Sequence, residues 1–121
     1  MMALPPKLVL IVEDDPLIMV DTCCNVEDAG FDVLMATNAD QAIKLLETRP
    51  DIRIVITDIE MPGSMDGLKL AAAVRKRWPP VELIISSAFR IPTSDEMPER
   101  SVFLSKPYPV HELHNALQSF V

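Results

Sequence analysis

No apolar run in the chain approaches the about 20 residues that a bilayer-spanning helix needs. The N-terminus, Met1-Met2-Ala3-Leu4-Pro5-Pro6-Lys7, also lacks a secretory signal's order of a basic segment before a long apolar one. Both absences point to a cytoplasmic chain with no membrane partner. Cysteine is scarce, with Cys23 and Cys24 the only two. Adjacent residues rarely reach disulfide geometry, so the pair reads as two buried thiols on a helix. Positive charge is short as well: Lys and Arg number 11 against 18 Asp and Glu, a formal net charge of -7. A nucleic-acid surface needs a basic footprint, so direct binding to DNA or RNA is not expected. An acidic chain instead suits a cation or a basic partner. There is no internal repeat, no linker and no sign of a second domain.

What is present is one domain's worth of chain, 121 residues of which 49% are hydrophobic. Residues 1–6 read as a tail and 7–121 as the domain. Lys7-Leu8-Val9-Leu10-Ile11-Val12 is a continuous apolar run, the signature of a strand covered on both faces. Four further strands follow at Phe31–Ala36, Ile54–Asp58, Val81–Ile85 and Ser101–Ser105. Helices read between them. The first opens on Pro16, stops at Gly30, and carries a broad apolar face of Leu17, Ile18, Val20, Cys23, Cys24 and Val26. The second opens on Asn38 with Gln41 three residues later, a capping-box pattern, and buries Ala39, Ala42, Ile43 and Leu46. The third opens at Asp66-Gly67, places Leu70, Ala71, Val74 and Trp78 on one face, and ends at Pro79-Pro80. The last begins near Pro109 and buries Val110, Leu113, Leu117 and Phe120. Strands alternating with helices imply an α/β fold, a doubly wound five-stranded parallel sheet with helices on both faces. The crossover from Phe89 to Arg100 holds Pro92 and Pro98 and little helical periodicity. Its helix, the fourth of five, is expected to be reduced to a short piece over Thr93–Met97.

The strand ends carry the chemistry. Glu13, Asp14 and Asp15 follow the first strand, Asp58 ends the third, Ser87 follows the fourth and Lys106 the fifth. In open α/β sheets ligands bind outside the carboxyl ends of the strands. Carboxylates crowded there repel each other unless a cation sits among them, and hard oxygen ligands suit Mg²⁺. Asp58 then reads as a nucleophile toward phosphorus, with Lys106 and Ser87 placed to stabilise the transferring oxygens. Each residue has a plainer reading: Asp58 as an acid opening a turn, the acidic trio as helix-dipole complement, Ser87 as a turn residue, Lys106 as a surface charge. The conjunction at four strand ends is what the plainer readings leave unexplained.

With those residues in view, the sequence resembles the receiver domain of bacterial two-component response regulators, the flavodoxin-like fold of CheY-like proteins, over residues 7–121. The resemblance rests on Ile11-Val12-Glu13-Asp14-Asp15, Thr57-Asp58-Ile59-Glu60-Met61-Pro62, Met65-Asp66-Gly67, Ser87-Ala88 and Lys106-Pro107, in that order. It implies that Asp58 accepts a phosphoryl group from a sensor histidine kinase in a reaction needing Mg²⁺ or Mn²⁺. By the same likeness Asp14, Asp58 and the backbone carbonyl of Glu60 hold the metal, with Glu13 acting mainly through water. Ser87 and Phe103 are the expected switch residues, Phe103 having an equally good reading as core. The Lys106–Pro107 bond is expected to be cis. No enzyme activity is expected beyond phosphorylation and dephosphorylation at Asp58 itself.

Three departures from the family pattern stand out. Phe103 has no hydroxyl. The turn Met61-Pro62-Gly63-Ser64-Met65-Asp66-Gly67 is one residue longer than the common form. The proline-rich fourth crossover casts doubt on the usual dimer face and points to signalling through a non-standard surface. With no output domain after Val121, the chain reads as a stand-alone receiver. It would bind an unknown downstream protein, exchange phosphate with a histidine phosphotransfer protein in a relay, or act as a phosphate sink. An aspartyl-phosphate phosphohydrolase, with Glu60 as general acid/base, is the competing enzymatic reading, and a never-phosphorylated docking domain is the third. His111 and His114 share a helix face without further ligands and read as surface residues.

Overall fold

The structure, a computed structural model, describes residues 7–120; the expected tail, residues 1–6, lies outside the described residues. In chain order the elements are β1 (Leu8–Val12), α1 (Pro16–Asp28), β2 (Asp32–Ala36), α2 (Ala39–Thr48), β3 (Ile52–Asp58), α3 (Gly67–Arg77), β4 (Glu82–Ser87), β5 (Ser101–Ser105) and α4 (Val110–Ser119). The five strands form one parallel sheet in the order β2-β1-β3-β4-β5.

Strand alternation divides the core into two layers. Leu8, Leu10 and Val12 of β1 face one way, onto Ala39, Ala42 and Leu46 of α2 and Leu70, Ala71 and Val74 of α3. Val9 and Ile11 face the other way, onto Met19, Cys23 and Val26 of α1 and Leu113, Ala116 and Leu117 of α4. A strand buried on both faces has no use for polar alternation, which is why β1 reads as an unbroken apolar run. The strand order reverses at β1, between β2 and β3, so the crevice beyond the carboxyl ends of β1 and β3 is the topological switch point of the sheet.

The helix starts obey local chemistry. Asp15 caps α1, its carboxylate accepting from the N–H groups of Leu17 and Ile18 at 2.9 and 3.3 Å. Asn38 caps α2 by accepting from Gln41 N–H at 2.9 Å. The return bond differs from a capping box: Gln41 Oε1 accepts from the N–H and the hydroxyl of Thr37, one residue further back. Asp66 caps α3 through Lys69 N–H.

Two helices bury less than their composition suggests. In α1 the buried residues are Met19, Thr22, Cys23 and Val26, the i, i+3, i+4, i+7 stripe that one helix can turn toward a sheet. Leu17 and Val20 fall off that stripe and are 82% and 61% exposed, and Ile18 and Cys24 are exposed too. The expectation of a broad buried face and two buried thiols is therefore corrected to a narrow stripe and one. In α4, Val110 sits in the first turn and is 45% exposed, while Leu113 and Leu117 are buried.

The fourth crossover is more reduced than expected. Among the described residues it contains no helix, only a turn closed by Glu96 N–H to Thr93 O at 3.1 Å. Polar clamps fix it in place. Arg75 of α3 donates to the carbonyls of Glu99, Arg100 and Pro79, and Arg90 pairs with Glu96. A guanidinium with five donors in a fixed fork is suited to gathering several carbonyls at once.

Candidate active site at the switch point

Five residues from four strand ends converge at the switch point. The acidic trio after β1 divides its labour: Asp15 is consumed as the α1 cap, whereas Glu13 and Asp14 remain for the crevice. Glu13, Asp14 and Asp58 bring carboxylate oxygens within 4.8 Å of one another. Lys106, just beyond β5, reaches into the group, with Nζ 2.6 Å from Asp58 Oδ1 and 3.2 Å from Glu13 Oε1. The Lys106–Pro107 peptide bond is cis.

The electrostatics follow from burial. Glu13 and Asp58 are both buried. Loss of solvent, the hydrogen-bonding and charge of Asp58, and only partial relief from the Asp15 N–H and Lys106 push the Glu13 carboxyl up to about 7. Burial alone would lower the Lys106 ammonium; the hydrogen bond and charge of Asp58, with those of Glu13, outweigh it and leave Lys106 raised. Three carboxylates against one ammonium leave an excess of negative oxygen donors. That is the donor set a hard divalent cation such as Mg²⁺ or Mn²⁺ takes, so these residues fit such an ion.

The serines are where the structure adds most. Ser87, the residue singled out in the sequence, gives its hydroxyl to the carboxylate of Glu60, at 2.7 and 2.9 Å from the two oxygens. It accepts in turn from the N–H groups of Phe89 and Arg90. The hydroxyl that reaches Asp58 is that of Ser86, 2.8 Å from Oδ1. Sequence reasoning missed Ser86, although the Ser-Ser pair at the end of a parallel strand was a usable signal, since one of two neighbours must face each side.

The loop after β3 packs tightly. Gly67 lies against the Asp58 carbonyl, and a Cβ there would stand 1.7 Å from that oxygen. The longer turn is folded back onto α2, where Ser64 Oγ donates to Asp40 at 2.7 Å, and Gly63 takes a φ of +107° that favours glycine. An open groove of about 900 Å³ runs from Glu60, Met61 and Pro62 along α3 to Arg90 and Glu96. Phe103 is half-buried and packs on the α2–α3 side of the sheet. His111 is exposed, and His114 Nε2 lies 3.0 Å from the Asn25 carbonyl, linking α4 to α1.

The family model described as response regulator receiver domain matches residues 9–118. A putative NtrX-like response regulator from Rickettsia felis is 40% identical over 80 residues, which is 65% of this chain and 17% of that protein. The transcriptional regulatory protein GlrR of Escherichia coli is 30% identical over 115 residues, 93% of this chain and 26% of that one. The chain thus spans about a quarter or less of these curated relatives. Among solved structures, a response regulator receiver protein from Sinorhizobium medicae superposes with a TM-score of 0.86 at 24% identity, covering 98% of this chain and 96% of that one. A CheY-like receiver domain from Methylobacillus flagellatus gives 0.85 at 24% identity, over 96% and 99%.

Proposed function

This chain belongs to the response regulator receiver domain family of two-component systems, and from that premise we propose that Asp58 is its phosphoryl acceptor, supplied by a sensor histidine kinase. The observation that carries the reading is the buried Asp58 carboxylate held 2.6 Å from Lys106 beside Glu13 and Asp14. Asp14, Asp58 and the Glu60 carbonyl would hold Mg²⁺ or Mn²⁺, with Glu13 acting through water. When bound, the ion offsets the negative charge of the carboxylates and of an incoming phosphoryl group. Asp58 attacks phosphorus, and Lys106 neutralises charge on the transferring oxygens. Ser87 releases Glu60 to contact the phosphoryl group, and with Phe103 carries the change to the surface.

The consequence is a changed protein surface, read by a downstream protein or by a histidine phosphotransfer protein, with no direct role for nucleic acid. Because the fourth crossover has no helix among its described residues, that surface is a non-standard one. A phosphorylated crystal form with the family's usual symmetric dimer on the β5–α4 side would refute this part. Among the described residues no helix is long and apolar enough to cross a membrane.

The test is intact mass after incubation with Mg²⁺ and acetyl phosphate, for the native chain and for Asp58→Asn. One phosphoryl adduct that requires Mg²⁺ and is lost in the variant supports the reading. An adduct that persists in the variant assigns the wrong acceptor. No adduct together with no beryllofluoride binding favours a docking domain.

A further inference from the structure

Ser86 and Ser87 close β4 side by side, and successive side chains leave a strand on opposite faces. Register decides which of them serves Asp58. Asp58 is the partner of Ser86 across the β3–β4 pair, so the two side chains project to the same face of the sheet. Both residues are buried, and the Ser86 hydroxyl donates to Asp58 Oδ1 at 2.8 Å. Lys106 meets the same oxygen at 2.6 Å. Two donors thus converge on Oδ1.

We propose that Ser86 is a positioning residue for phosphoryl transfer, fixing Oδ1 as the oxygen that remains a carbonyl so that Oδ2 forms the bond to phosphorus. This rests on Asp58 being the acceptor, as proposed above. The two donors have different fates. Lys106 carries its charge on a long flexible stem and can swing to a phosphoryl oxygen. Ser86 is short and locked in a central strand, so it stays on Oδ1 throughout.

In uptake, Oδ2 bonds to phosphorus, the bond from phosphorus to the donor's leaving group breaks, and the electron pair departs with that group. In hydrolysis, a water oxygen bonds to phosphorus and the Oδ2–phosphorus bond breaks. The electron pair returns to the carboxylate, and the proton of the water passes to solvent. A hydrogen bond to an ionised oxygen is stronger than one to a neutral carbonyl. The Ser86 donor therefore favours the free carboxylate over the acyl phosphate and shortens the life of the modified state.

The experiment uses the native chain, Ser86→Ala and Ser86→Thr, each phosphorylated with acetyl phosphate and Mg²⁺, freed of donor, and followed by intact mass. Loss of the hydroxyl in Ser86→Ala is expected to lengthen the half-life about fivefold, the scale of one hydrogen bond weakened between carboxylate and ester. Ser86→Thr keeps a hydroxyl and is expected to decay like the native chain. Equal half-lives in the native chain and Ser86→Ala would overturn the proposal. An equal change in both variants would do so as well, since it marks packing rather than the hydroxyl. No adduct on the native chain together with no beryllofluoride binding would overturn the acceptor reading and this one together, whereas an adduct of unchanged lifetime in Ser86→Ala overturns this one alone.

Discussion

Lys106 and Asp58 form an ion pair of 2.6 Å across the mouth of the sheet, with Glu13 3.2 Å from the same ammonium. The lysine is the one cation in contact with this acid cluster among the described residues. Removing it leaves two buried carboxylates unpaired. In EDTA, Lys106→Ala is expected to lose about 2 kcal/mol of stability, below the range for a fully buried pair because the lysine is partly exposed. Mg²⁺ should restore most of that loss, since a divalent ion offsets the same charges. Thermal unfolding with and without Mg²⁺ checks this; a loss untouched by Mg²⁺ would place the effect in packing.

Glu13 carries a pH signature. Its carboxyl sits at about 7 in the folded chain against an ordinary 4.5, so between those values the folded state holds more protons than the unfolded one. Stability therefore falls as pH rises from about 5 through 7, the reverse of the usual carboxylate case. The expected outcome without divalent cations is a higher Tm at pH 5.5 than at pH 7.5, with the difference shrinking in Glu13→Gln. A Tm that climbs across that window in the native chain, unchanged in the variant, would contradict it.

Gly67 is a packing prediction about the site itself. A methyl group there would collide with the Asp58 carbonyl oxygen and carbon and with Ile59 Cα, all backbone atoms that cannot rotate away. Gly67→Ala is expected to cost about 3 kcal/mol or more by overpacking, and to slow phosphoryl uptake from acetyl phosphate because Asp58 is displaced with its own backbone. Denaturant unfolding and uptake kinetics on the same sample decide the matter. Native-like values for both would show that the β3–α3 turn yields without cost.

The two thiols should react very differently. Cys24 is exposed and Cys23 buried, and burial also pushes the Cys23 thiol up, with smaller contributions from Glu27 and Cys24. Brief labelling of the native chain with a thiol reagent is expected to modify Cys24 alone, with Cys23 reacting after denaturation. Mapping the labelled peptide by Cys24→Ser tests this directly.

Much of the architecture was readable along the chain because its signals are local. The apolar run Leu8–Val12 must be covered on both faces wherever it lies; α1 begins on the preset φ of Pro16, and α2 and α3 begin through bonds that Asn38 and Asp66 accept from the residue three positions on. Placing Glu13, Asp58 and Lys106 at strand ends was enough to bring them into one crevice, since all parallel strands deliver their carboxyl ends to the same side. Other features depend on partners distant in sequence. Leu17 and Val20 are as apolar as Met19 and Val26, yet only the orientation of α1 against the sheet decides which pair is buried. Pro92 and Pro98 flagged a weak helix in the fourth crossover, whereas Arg75, which clamps the end of that crossover at Glu99 and Arg100, lies about 25 residues earlier.

The sequence alone determined the alternation of strands and helices, the helix starts and the residue types available at each strand end, because hydrophobic period and capping act within a few residues. Tertiary structure alone decided how those residues are shared out. Asp15 goes to a helix cap while Glu13 and Asp14 go to the crevice, and Ser86 rather than Ser87 meets Asp58. The reason is register: shifting a strand by one residue exchanges the faces of every side chain on it, and the register of β4 against β3 is set by the packing of the whole sheet.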